Sequence, residues 1–267
     1  MAASFPADLL AQVLELPADA ALAFLRTIPL RDDDIVELLA DAAMARAESD
    51  PTAAAALLRV GDLAAQTGIT PTLEANLRYA QARLALGDGA FDDAERLLVQ
   101  ARALWTQAGS RVDAARTGLG LTQIFAVQGR FAEAEAVITA TIAALDTEAT
   151  GDLDVELIAL DARENLASLY SYQERFGEML AVNTGVRERL LGLAAAVNGS
   201  QPDVAADLQL RLAQIERDLA LAHTYLDQPA DAETERADDR DPPEAHRRIL
   251  YPRRRRRRKA PPRVRAG

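Results

Sequence analysis

The 267-residue chain contains no cysteine and only two histidines, His223 and His246. Without cysteine there is no disulfide framework, no thiolate metal site and no cysteine nucleophile. Two histidines are too few for a three-histidine metal centre, and they argue against a serine–histidine–aspartate triad. Aromatic residues make up only 4% of the chain, and residues with high strand propensity are sparse. Apolar residues nevertheless reach 49%, mostly as alanine and leucine, a composition that favours closely packed helices. No stretch approaches the roughly 18–20 apolar residues needed to span a bilayer. Asp8 and Glu15 precede the first base, Arg26, so a secretory leader is not expected. The sequence therefore predicts a soluble cytoplasmic protein that does not engage a membrane, is not an enzyme, and uses no cofactor or metal.

Basic residues are scarce through most of the chain. The net charge is −11, yet residues 245–267 carry eleven bases, including Arg253 to Arg258 and Lys259, and no acid. Removing that +11 leaves −22 over residues 1–244. An acidic body of this kind is a poor nucleic-acid binder, because phosphate affinity depends on clustered bases. Lys259 is the single lysine against 29 arginines, a bias that reflects high-GC coding.

Repetition is the strongest positive signal. Gly89-Ala90-Phe91-Asp92-Asp93-Ala94-Glu95 recurs 40 residues later as Gly129-Arg130-Phe131-Ala132-Glu133-Ala134-Glu135. A third copy, Glu174-Arg175-Phe176-Gly177-Glu178-Met179, follows after 45 more. Twelve residues before Ala54, Ala94, Ala134, Met179 and Ala232 stand Ala42, Ala82, Thr122, Ala167 and Ala220, all small. Small residues recurring in successive helices suit close helix–helix approach. Apolar periodicity, N-cap residues and Gly/Pro punctuation predict helices near 6–16, 18–28, 32–48, 51–67, 71–87, 90–107, 111–128, 131–146, 152–173, 176–192 and 203–227.

Helical hairpins with a small residue in the first helix and Gly-x-Phe-x-x-Ala opening the second resemble tetratricopeptide repeats. The clearest matches are Leu121, Phe125, Gly129, Phe131 and Ala134, then Leu166, Ala167, Tyr170, Phe176 and Met179. The period of 40 to 53 exceeds the usual 34 and is similar to the arrays in front of caspase-like CHAT-type domains. The resemblance implies an all-α fold, a right-handed superhelix (α-solenoid) of stacked helical hairpins. Residues 1–31 would form an N-terminal helical cap, 32–235 about four units plus a partial fifth, and 236–267 a disordered acidic-then-basic tail. A helical hairpin array of another kind is the alternative.

In such arrays the first helices line a concave groove for a protein or peptide partner. The register places Asn76, Tyr79, Arg83, Arg116, Gln123, Asp161, Glu164, Ser168 and Tyr172 there. Arg83 and Arg116 beside Asn76 and Gln123 would suit a peptide carboxylate; a solvated helix face is the plainer reading. The Lys/Asn carboxylate clamp of chaperone-binding members is missing, since Leu39 and Ala43 occupy the matching positions. Trp105 reads as core or inter-repeat packing, Asp32-Asp33-Asp34 as a helix start that complements the dipole, and His223 as packed between hairpins. Gly118-Leu119-Gly120 lacks the third glycine of a dinucleotide loop.

The fifth unit loses its apolar register after residue 235, leaving an open end suited to self-association. Three readings of the tail stay open: a weak nucleic-acid arm, a nuclear-import-like basic run, or out-of-frame translation. With the last, the chain would be the truncated sensor or regulatory region of a larger CHAT-type peptidase or signalling protein.

Overall fold

The computed structural model describes residues 7–149, 151–197 and 202–226. Among them there are eleven α-helices and no strand: α1 (Ala7–Glu15), α2 (Ala18–Leu25), α3 (Asp32–Arg46), α4 (Pro51–Ala65), α5 (Pro71–Asp88), α6 (Phe91–Gln107), α7 (Arg111–Val127), α8 (Phe131–Glu148), α9 (Leu153–Tyr172), α10 (Phe176–Val197) and α11 (Pro202–Leu226). Each falls where the apolar period predicts one; α10 runs five residues further than expected. No helix among the described residues is long and apolar enough to cross a membrane. The fifth unit's second helix, Ala232 and the tail from 236 lie outside the described residues.

Local chemistry sets the helix ends. Asp50 accepts from the Ala53 amide at 3.1 Å with Pro51 at the first helical position, and Asp152 accepts from the Asp154 amide at 2.9 Å. Asp34 accepts from the Arg31 amide at 3.0 Å, while Asp32 pairs with Arg26 at 2.7 Å, so the triple acid does start α3. The predicted turn glycines Gly89 and Gly129 take φ of 75° and 73°. After each, the amide of the next residue reaches back five positions, Ala90 to Ala85 at 2.9 Å and Arg130 to Phe125 at 2.8 Å.

Consecutive helices pack as hairpins α3/α4, α5/α6, α7/α8 and α9/α10, and α11 lies against α10. α3 also approaches α5, α5 approaches α7, and α7 approaches α9; the second helices α4, α6, α8 and α10 make no comparable contact with one another. Neighbouring contacts of this kind fit a stacked arrangement. The small-residue register sits at these approaches: Ala82, Ala94, Ala134, Ala54, Ala167, Met179 and Thr122 are all at most 3% exposed, and Ala42 is 8% exposed. The fifth position departs from expectation. Ala220 is exposed, and Ala222, two residues on, is the buried one, packed with Ala167 and Met179. α11 therefore meets its neighbours on a different face from the first helices before it. His223 is likewise exposed rather than packed between hairpins.

Gly118 and Gly120, dismissed as a nucleotide loop, serve packing. A Cβ on Gly118 would meet Thr141 Oγ1 of α8 at 1.8 Å, and one on Gly120 would meet Leu98 Cδ1 of α6 at 2.8 Å. Both neighbours of α7 thus press directly onto its backbone.

Candidate functional site

The residues expected to line a groove fall into separate places. Asn76 and Tyr79 of α5 meet Trp105 of α6: Trp105 Nε1 donates to Asn76 Oδ1 at 3.2 Å, and the Tyr79 and Trp105 rings stand 5.3 Å apart. The exposed Arg116 of α7 places its guanidinium 5.8 Å from the Tyr79 ring centre. Trp105 is 3% exposed, so it packs hairpin α5/α6 together as expected, while Tyr79 stays half-buried. Arg83 is exposed and stands apart, beside Glu48 and Ser49 at the end of α3. Tyr172 packs its ring 5.3 Å from Phe131. Leu39 and Ala43, at the missing clamp positions, are core residues.

Gln123, Glu164 and Ser168 come together in a pocket of about 240 Å³ formed by α7, α9, α10 and α11. Asn183, Gln214 and Asp218 join them, with Thr122, Asn165 and Ser171 also in the lining, which holds carboxyl, amide and hydroxyl groups and no Lys, Arg or His. Asn183 is 1% exposed, and its Oδ1 has no hydrogen-bond partner. Glu164 Oε1 is buried and makes no hydrogen bond; Arg211 Nε of α11 stands 3.5 Å away. Arg211 also pairs with Asp161. Burial, reinforced by Asp207 and Asp218, pushes the Glu164 carboxyl up to about 7.

A second opening of about 600 Å³ lies between α8, α9 and α10. Its charges are matched: Arg163 pairs with Asp146 at 2.7 Å and Arg189 with the buried Glu156 at 2.6 Å. No group of three His, Cys, Asp or Glu that could hold a metal ion occurs among the described residues.

Asn183, Gln214 and Asp218 were not foreseen. Asn183 did carry a signal, because it interrupts an apolar stripe of Met179, Val186 and Leu190, all buried. A polar residue on a buried stripe needs a partner. The other two sit among the charged residues of α11, where sequence alone does not distinguish them. The chain matches no protein-family model and no curated protein.

Proposed function

We propose that the chain is a non-catalytic interaction module of tetratricopeptide type, with α3, α5, α7 and α9 forming the concave row that receives a protein or peptide segment. The observation behind this reading is the asymmetry of helix contacts. First helices approach one another in succession while second helices make no comparable contact, which in a stacked array fans the second helices outward. The row so defined carries the half-buried polar residues Asn76, Tyr79, Gln123 and Ser168. Half-buried aromatic and amide side chains are the groups that bind a segment at small entropic cost.

Site-specific photo-crosslinking tests the reading. A photoreactive residue at Gln123 or Ser168 should trap a partner in cells, and the same residue at Val99, 53% exposed on α6, should not. Arg83→Glu with Arg116→Glu should weaken that crosslink if the arginines hold an acidic segment. Equal trapping from Val99 and from the inner row would overturn the groove assignment.

A further inference from the structure

The pocket between α7, α9, α10 and α11 has amide and hydroxyl groups in its lining but no Lys, Arg or His, and two of its buried acceptors are left without a donor. Asn183 Oδ1 and Glu164 Oε1 are both buried acceptors without a hydrogen bond. Leaving such a group unsatisfied costs about 1–3 kcal/mol, so native proteins seldom retain one without a reason. Acids also outnumber bases around it. Glu164 and Asp218 line the pocket, with Asp161 and Asp207 beside them. The nearby cations, Arg211 and Arg217, are outside the lining and already face Asp161, Glu164 and Asp218.

We propose that this pocket binds a primary ammonium group. An ammonium offers three donors on a compact charge, which suits Asn183, Glu164 and the Ser168 hydroxyl. Met179 and Ile215 in the same lining can sheath the alkyl stem. A volume of about 240 Å³ holds about eight water-sized groups, enough for an alkylammonium of lysine length. A planar guanidinium fits less well, because it seeks a free carboxylate edge and Glu164 already faces Arg211. An anion would meet the Glu164 and Asp218 carboxyls, with no Lys, Arg or His in the lining to offset them. The inference does not need a peptide along the inner row: the pocket is defined by its own acceptors.

Binding a cation beside Glu164 favours its ionised form, so uptake of the ligand releases a proton. The titratable and charged groups around Glu164 are Asp161 on its own helix and Asp207, Arg211 and Asp218 on α11. The lining residues from α7 and α10 carry none. With Glu164 near 7, affinity should climb roughly tenfold between about pH 6 and 8.

Two probes test the proposal by NMR titration of the full chain: butylammonium chloride and the peptide acetyl-Ala-Ala-Lys-Ala-Ala-amide, each against sodium chloride at equal ionic strength. Saturable shifts centred on Ser168 and Asn183 are expected, with the rise in affinity from pH 6 to 8. Asn183→Leu should weaken binding at least tenfold, with its melting curve checked because the site is buried. Glu164→Gln, nearly isosteric, should weaken it similarly and abolish the pH dependence. Tighter binding of the peptide assigns a lysine side chain as the ligand; equal or tighter binding of the amine assigns a free amine. Shifts that do not saturate at tens of millimolar, that match sodium chloride, or that persist in Glu164→Gln overturn the proposal and leave water as the occupant.

Discussion

Glu174 is the one non-glycine residue with positive φ among the described residues, at 60°. It stands where Gly89 and Gly129 stand in the earlier copies, and it closes the same turn: the Arg175 amide donates to Tyr170 O at 2.9 Å. A left-handed conformation costs an L-residue roughly 1–2 kcal/mol, and glycine returns part of that through the entropy of the unfolded chain. Glu174→Gly should therefore raise stability by about 0.5–1 kcal/mol in a thermal or urea melt. The helix glycines separate two opposing effects in the same way. Alanine gains about 1 kcal/mol over glycine inside a helix, whereas overpacking costs about 1–3 kcal/mol. At Gly87, where an added Cβ meets nothing within 4 Å, propensity alone acts and Gly87→Ala should stabilise. At Gly118 the Cβ would stand 1.8 Å from Thr141 Oγ1 and 3.0 Å from Thr141 Cβ. Rotating the hydroxyl away breaks its 2.9 Å bond to Val137 O and still leaves the Cβ contact. Packing wins there, so Gly118→Ala should lose stability; a gain at both positions would show that α7 can move off α8.

The turns within the hairpins α7/α8 and α9/α10 carry a repeated arginine staple. Arg130 lies 4.0 Å from the centre of the Phe125 ring, and reaches Glu133 at 2.7 Å and Glu95 of the preceding hairpin at 3.0 Å. Arg175 repeats this with Tyr170 at 4.3 Å, Glu178 at 2.9 Å and Glu135 at 2.6 Å. The first copy has Ala90 instead and no staple. Hydrogen bonds from these arginines hold the Glu133, Glu135 and Glu178 carboxyls below the usual carboxylate range. A depressed carboxylate contributes stability that is complete above its unfolded value and is lost as pH falls through the folded one. Glu164, pushed up to about 7, is protonated in both states at the low end of that range and contributes no slope there. Acid unfolding of Arg175→Ala should accordingly be shallower than that of the parent, and its neutral-pH melting temperature should fall further than that of Arg96→Ala. Arg96 has only an exposed partner, Asp93, on its own helix. Helices and hairpins of this chain were legible because apolar spacing, Asp50-Pro51, Asp152 and the turn glycines are local signals. The glycine contacts of α7 and the exposed Ala220 were not, since both depend on which neighbour a helix face meets. The pocket was legible only in part. Gln123, Glu164 and Ser168 followed from the first-helix register, but Gln214 and Asp218 reach it from α11, whose register shifts.

The core runs as a series of clusters in chain order rather than as one mass. The first joins residues from Leu10 to Ala80, the second from Ala82 to Leu169, and the third from Leu160 to Ile215. Among the described residues, α5 and α9 place buried members in two successive large clusters, and the half-buried Val182 of α10 packs against the second and third, so these helices transmit stability along the molecule. In such a nearly one-dimensional array, stability is a sum of unit and interface contributions, and damage spreads only as far as the interfaces carry it. Leu57 is fully buried in the first cluster, and Leu57→Ala should cost about 2–5 kcal/mol. Hydrogen exchange followed by mass spectrometry should then show lost protection over 7–88 and little change over 153–197. The parent chain should be uneven as well. α11 buries three residues of 25, Leu208, Ile215 and Ala222, and leaves Leu210 69% exposed, whereas α7 buries nine of 17. Residues 203–226 should exchange fastest among the helices from α3 onward, and 71–145, which holds the most regular hairpins, slowest. Loss of protection along the whole chain in Leu57→Ala would mean that the clusters unfold as one unit and that α5 and α9 couple them more tightly than neighbour-only packing provides.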